Sequence, residues 1–136
     1  MNDWGFMLRK ILVVDDDPAD IWGVGREGIR ERGYSIKHFS VPRKAHKYME
    51  ENADYDGAIF DVKFEGCNSL NYSVFDLVNF SKAYNPQAPI IVFTGYNNKN
   101  SSSGKGLTPG VLSWITRSDG ILEVLKTFDN YFSLHP

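Results

Sequence analysis

The stretch that decides the fold is ILVVDDDP, which occupies residues 11–18. Its four consecutive aliphatic residues, Ile11–Val14, predict a strand that is buried on both faces of a sheet. Asp15 and Asp16 follow directly, and charged side chains of this kind do not belong in an apolar core. In open α/β sheets, ligands bind just outside the carboxyl ends of the parallel strands. The stretch therefore predicts a central strand of a parallel sheet, with a polar site at its end.

A second apolar run, Gly57–Asp61, also ends in an acid. If both strands lie in one parallel sheet, the carboxylates of Asp15, Asp16 and Asp61 converge at the same edge. Three carboxylates in one pocket repel each other, and oxygen ligands of this type favour a bound divalent cation. The two runs together predict a cation site.

Strands and helices alternate along the rest of the chain. The predicted strands are Ile11–Val14, Tyr34–Phe39, Gly57–Asp61, Ala88–Thr94 and Val111–Ile115. Such alternation predicts right-handed βαβ crossovers and an α/β fold with a doubly wound parallel sheet. The second strand is the most polar, which suits an edge, whereas the first and third suit the centre. The strand order 2-1-3-4-5 satisfies both conditions, with the switch point between strands 1 and 3.

Local signals predict where the helices begin and end. The residues expected to cap helices at their N-termini are Asp17, Ser40 and Ser118. The first helix is expected to run from Pro18 to about Arg32 and to stop at Gly33, a residue type typical of the position after a helix. A further helix is predicted over Ser73–Tyr84. The segment Asn97–Thr108 should also hold a helix, although its composition, rich in Asn, Ser and Gly, is poor for one.

Size and composition restrict the class of protein. The chain has 136 residues, 42% of them hydrophobic, which fits one domain with a substantial core. The net charge of −2 does not indicate a nucleic-acid-binding protein. No apolar run approaches the roughly 20 residues of a membrane span, and Met1–Arg9 has no long apolar segment, so we expect no secretory leader. The single Cys67 excludes an internal disulfide and suits a reducing compartment, so we expect a cytoplasmic protein without membrane contact.

Taken together, these motifs resemble those of response-regulator receiver domains, and the sequence is similar to that of the chemotaxis regulator. The resemblance rests on residues 11–18, on Asp61 and on the run Ile90–Gly95, and it extends from about Arg9 to Phe132. It implies a flavodoxin-like fold, with residues 1–136 forming a single receiver domain and no output domain. It also implies a signalling protein rather than an enzyme, with a histidine kinase or phosphotransfer protein and a downstream protein target as partners.

The resemblance assigns a role to each candidate residue. Asp61 would be the phosphoacceptor, and its carboxylate would form a labile acyl phosphate. Thr94 would hydrogen-bond the phosphoryl group, and Arg117 would contact it as a cation. Trp114 occupies the position of a Tyr or Phe whose rotamer follows phosphorylation, so Thr94 and Trp114 would form the switch. The residues that would hold Mg²⁺ are Asp15 (through water), Asp16, Asp61 and the carbonyl of Lys63.

Two departures from the family pattern leave a second function open. The family has Lys followed by a cis Pro at the end of strand 5, whereas this chain has Arg117 and Ser118. A cis bond before a residue other than Pro costs about 2.5–4 kcal/mol, so we expect a trans bond or a reshaped loop. The segment Lys63–Tyr72 also contains a small insertion. The alternative is a degenerate receiver that binds a protein partner without phosphorylation.

A third possibility is a small haloacid-dehalogenase-like phosphatase. In this case Asp15 would be the nucleophile, and Asp17, Thr94 and Arg117 would complete the catalytic set. The chain has no obvious later pair of acids and no cap domain, which disfavours this function. His38, His46 and His135 show no metal-ligand spacing, and we predict no catalytic role for them.

Overall fold

Five parallel strands form one sheet in the computed structural model, which describes residues 8–15, 25–61, 73–94 and 110–135, with the backbone alone at 25–27, 94 and 117. The strands are β1 (Arg9–Val14), β2 (Tyr34–Phe39), β3 (Gly57–Asp61), β4 (Ile90–Thr94) and β5 (Ser113–Thr116). Their order is β2-β1-β3-β4-β5, and every neighbouring pair is parallel. The predicted fold class and strand order are confirmed.

Helices cover both faces of this sheet. The helices are α1 (Gly25–Glu31), α2 (Pro42–Glu51), α3 (Val74–Tyr84) and α4 (Ile121–Leu134), and a short 3-10 helix (Arg117–Asp119) joins β5 to α4. α2 and α3 pack on one face, and α1 and α4 pack on the other. The segment 63–72 with its predicted insertion, the helix expected within 97–108 and the predicted cap Asp17 lie outside the described residues. No helix in the described ranges has the length and apolar character needed to cross a membrane.

The sheet separates two hydrophobic clusters, and β1 contributes to both. Leu12 and Val14 belong to the cluster under α2 and α3, whereas Ile11 and Val13 belong to the cluster under α1 and α4. All four side chains are fully buried. Successive residues of a strand point to opposite faces, so a strand covered on both sides needs an unbroken apolar run. This is the physical reason why residues 11–14 are all aliphatic.

Two of the predicted capping residues are wrong. α2 begins at Pro42, and the extended residue at its N-cap is Val41 rather than Ser40. Pro favours the first helical position because its φ is already suitable and it has no N–H, and this sets the start of the helix. α4 begins at Ile121 after Gly120, whose φ of 88° is in the left-handed region, so Ser118 does not cap it.

Other helix boundaries agree with the sequence. Gly33 has a φ of 97° and its N–H donates to the Arg30 carbonyl, so it terminates α1 as predicted. α3 begins with a capping box, in which Ser73 and Asp76 each accept a hydrogen bond from the other's backbone N–H.

β4 begins at Ile90, two residues later than predicted, immediately after Pro89, which has no N–H to donate.

Candidate functional site

Two buried carboxylates lie side by side at the carboxyl edge of the sheet. The register of β1 and β3 pairs Val14 with Phe60, so Asp15 and Asp61 follow at equivalent positions. Their residues are only 1% and 2% exposed. Neighbouring strands are about 4.8 Å apart, which brings the two acids together as the sequence predicted.

This arrangement suits a divalent cation. At a separation of about 5 Å and an effective dielectric constant of about 20, two ionised carboxylates repel by about 3 kcal/mol. A hard cation such as Mg²⁺ or Ca²⁺ removes this repulsion, and carboxylate oxygens are the ligands it prefers. Asp16 and Lys63, the other two predicted ligands, lie outside the described residues. The described residues alone contain no group of three side chains that could hold a metal ion.

The backbone of Asp15 is held from the side of β2. Its N–H donates to the Phe39 carbonyl at 3.0 Å, and its own carbonyl accepts a hydrogen bond from Nε2 of His38 at 2.8 Å. Sequence reasoning gave His38 no role. The signal was the strand register, which pairs Val13 with His38 and so puts the imidazole within reach of the Asp15 carbonyl just beyond β1.

β4 and β5 bring two further predicted positions to the same edge. Asp61 pairs with Phe93, and Thr94 is the next residue of β4 and pairs with Thr116. Arg117 follows Thr116 directly. The backbones of Thr94 and Arg117 therefore lie along the edge that carries Asp15 and Asp61, while the directions of their side chains stay predictions.

The connection after β5 is organised by a carboxylate instead of a proline. Asp119 Oδ2 accepts hydrogen bonds from the Thr116 hydroxyl at 2.9 Å and from the Thr116 N–H at 3.4 Å. The hydroxyls of Thr116 and Ser118 are also 2.9 Å apart. No described peptide bond is cis, so the bond between Arg117 and Ser118 is trans, as expected. These contacts hold the turn into a 3-10 helix and place an acid near the edge of the site.

Trp114 connects the core to the surface of the molecule. It is 8% exposed, and its ring lies 6.3 Å from that of Phe75, which is 51% exposed at the start of α3. Its indole Nε1–H is buried and has no acceptor within the described ranges. A buried indole usually finds a partner, and an unpaired donor is costly to bury. The position is compatible with a residue that changes rotamer, and its switch role stays a prediction.

The clearest change in the pKa of a described acid occurs at the opposite end of the sheet. Asp54 accepts hydrogen bonds from the Tyr48 hydroxyl and from Lys10 Nζ, and these bonds lower the pKa of its carboxyl. Lys10 belongs to the first residues of β1, whereas Asp15 follows the last. The side chain of Asp54 is about half exposed, and we interpret this cluster as a structural link between β1 and α2.

No protein-family model and no curated protein matches the sequence. Solved structures do match it. A receiver-domain protein from Clostridium thermocellum has a TM-score of 0.71 at 19% identity, with 90% of this chain and 93% of that chain covered. A CheY-like receiver-domain protein from Methanospirillum hungatei JF-1 has a TM-score of 0.70 at 22% identity, with 95% and 99% covered.

A third solved structure is a response regulator from Burkholderia pseudomallei. Its TM-score is 0.67 at 20% identity, and the match covers 88% of this chain and 65% of that chain. That protein is described with a phosphorylated aspartic acid, a calcium ion and citrate. Identities of this size establish a shared architecture and nothing finer.

Proposed function

Because this chain has the fold of response-regulator receiver domains, we propose that it is a signalling receiver that accepts a phosphoryl group on Asp61. The observation that carries the proposal is the burial of Asp61 beside Asp15 at the carboxyl edge of the sheet. The phosphorylated aspartic acid and calcium ion of the similar Burkholderia protein support it. The proposed donor is a histidine kinase or phosphotransfer protein, and the proposed location is the cytoplasm.

The chemistry requires an ionised carboxylate and a neighbouring positive charge. A carboxylate oxygen of Asp61 forms a bond to the phosphorus of a phosphohistidine, the P–N bond breaks, and the imidazole leaves and takes up a proton. Mg²⁺, when bound, neutralises charge on the phosphoryl oxygens. Asp15, Asp16, Asp61 and the Lys63 carbonyl are the groups proposed to hold it. Arg117 supplies a second positive charge in place of the family's Lys, as a planar and longer group.

The proposed output is a change in a protein-interaction surface. Phosphorylation adds about 1.5–2 negative charges and new acceptor oxygens at Asp61. Thr94 ends β4 and Arg117 directly follows β5, the two strands beyond β3, where both side chains would respond to those oxygens. Trp114 lies on β5, and its ring centroid is 6.3 Å from that of the exposed Phe75. This contact connects the carboxyl edge of the sheet that carries Asp15 and Asp61, here called the acid edge, with the surface of α3. The conformation along this route can differ between the phosphorylated and unphosphorylated states.

Phosphorylation can be tested with a small-molecule phosphodonor. Incubation with Mg²⁺ and acetyl phosphate should add one phosphoryl group to the wild-type protein, as measured by intact mass. Asp61→Asn should abolish the addition. Asp56→Asn is the matched control, because Asp56 lies just before β3 at its other end. Equal phosphorylation of wild type and Asp61→Asn would contradict the proposal.

The turn after β5 supports a second candidate, a receiver that signals without phosphorylation. Asp119 adds a negative charge beside Thr116 at the carboxyl end of β5, on the same edge of the sheet as Asp61, which opposes the binding of another anion there. This candidate predicts that beryllofluoride with Mg²⁺ leaves the NMR spectrum unchanged. It also predicts that a protein partner binds wild type and Asp61→Asn with equal affinity.

A further inference from the structure

The contact between His38 and Asp15 lies where the parallel ladder of β1 and β2 comes to an end. The Asp15 N–H makes the last bond of this ladder, to the carbonyl of Phe39. Beyond Phe39 the chain leaves the sheet and enters α2 at Pro42. The imidazole of His38 supplies a donor to the Asp15 carbonyl at this point, at a distance of 2.8 Å.

The chemistry of this contact identifies the donor. A carbonyl oxygen only accepts hydrogen bonds, so Nε2 of His38 carries the hydrogen. His38 is partly buried, and alternation along β2 places it on the same face as Tyr34 and Ile36, which pack against the α4 side of the sheet.

The accepting carbonyl belongs to the peptide group that joins Asp15 to Asp16. That group is planar, so a bond to its oxygen restricts rotation of the backbone at Asp15. Asp15 carries one of the carboxylates assigned to the cation. We propose that His38 is a positioning residue for the cation site, acting through the Asp15 carbonyl; this inference rests on the proposed function.

Outer contacts of this kind orient the residues that hold a metal. Removing a group that orients a metal ligand typically weakens metal binding by 10–100-fold. His38→Phe keeps an aromatic ring of similar size and removes the donor. His38→Gln keeps an N–H donor at a similar reach. A residue that only fills space would be replaced well by Phe and poorly by Gln, whereas a positioning donor predicts the reverse order.

The experiment is a titration of the metal-free protein with Mg²⁺ alone, followed by amide shifts in NMR. His38→Phe should raise the Kd about tenfold or more, and His38→Gln should recover most of the loss. His46→Phe is the matched control, because His46 stacks on Phe80 of α3, away from the acid edge. Urea unfolding of each variant without Mg²⁺ measures any purely structural effect.

The outcomes separate the two claims. Binding of Mg²⁺ by wild type and not by Asp61→Asn supports the cation site, and equal affinity of His38→Phe would then overturn only the role of His38. The ¹⁵N spectrum of the His38 ring gives a second test without metal, since a ring with hydrogen on Nδ1 alone contradicts the proposal. If wild type does not bind Mg²⁺, the cation site is wrong and the role of His38 falls with it.

Discussion

Gly57 begins β3 where the Phe128 ring of α4 packs against the sheet. A Cβ atom at this position would lie 3.0 Å from Phe128 Cε1 and 3.1 Å from Ile11 Cδ1, whereas ordinary contacts are 3.4–4 Å. Both neighbours are fully buried, so neither can move into solvent. Overpacking of this kind costs about 1–3 kcal/mol, and the stiffer unfolded chain returns about 0.4–1 kcal/mol. We expect Gly57→Ala to lower the free energy of unfolding by about 1–2 kcal/mol.

Gly28 provides a control with the opposite sign. It lies within α1, and a Cβ there would meet nothing within 4 Å. Ala is favoured over Gly inside a helix by about 0.5–1 kcal/mol, so Gly28→Ala should raise the free energy of unfolding. Urea unfolding followed by far-UV circular dichroism gives both values, provided that the slope against urea is unchanged.

A double-mutant cycle identifies the clash. Phe128→Leu removes the ring that Gly57 accommodates, at its own cost in stability. In that background, Gly57→Ala should lose less stability than in wild type, with a coupling of about 0.5–1.5 kcal/mol. A Gly57→Ala variant as stable as wild type, or a cost that is the same with and without the Phe128 ring, would contradict this clash.

Three further predictions concern a cap, a buried hydroxyl and the indole. Ser73→Ala removes the acceptor of the Asp76 N–H and should cost about 1 kcal/mol in urea unfolding, while Ser73→Thr restores most of it. Burial and the hydrogen bond to Asp129 raise the pKa of Tyr34. Its stabilising contribution is therefore complete below about pH 10, where the tyrosine of the unfolded chain begins to ionise, and is lost as the pH rises further. Urea unfolding from pH 8 to pH 11 should show this loss in wild type and a smaller one in Tyr34→Phe. Trp114 emission, measured with the other two tryptophans replaced by Phe, should shift on addition of beryllofluoride with Mg²⁺, and an unchanged spectrum would contradict the switch role.

The sheet and the acid edge could be predicted because each depends on residues that are adjacent in the sequence. A strand covered on both faces requires an unbroken apolar run, and Ile11–Val14 is such a run. The polar Tyr34–Phe39 is found at an edge, as its composition predicted. Once the order is known, the carboxyl ends of β1 and β3 must be neighbours, so Asp15 and Asp61 meet without any knowledge of the loops.

Features that depend on the competition between adjacent groups could not be predicted. Ser40 and Ser118 are good capping residues, but Pro42 and the left-handed Gly120 decide where the helices start. The contact of His38 depends on where β2 leaves the sheet, which composition does not reveal. The need for glycine at 57 depends on the Phe128 ring in the last helix, which is far from it in the sequence.

The strand order also implies that different parts of the site unfold locally with different ease. β1 and β3 are each hydrogen-bonded to two described neighbours, whereas β5 pairs with β4 alone among the described strands. Amides of central strands exchange with solvent through openings whose free energy approaches that of global unfolding, whereas strands at an edge can exchange through smaller openings. Asp15 and Asp61 are therefore attached to the most persistent part of the fold, while Thr116 is attached to a part that can open separately. A ligand that bridges the acids and the end of β5 would slow exchange most strongly at β5.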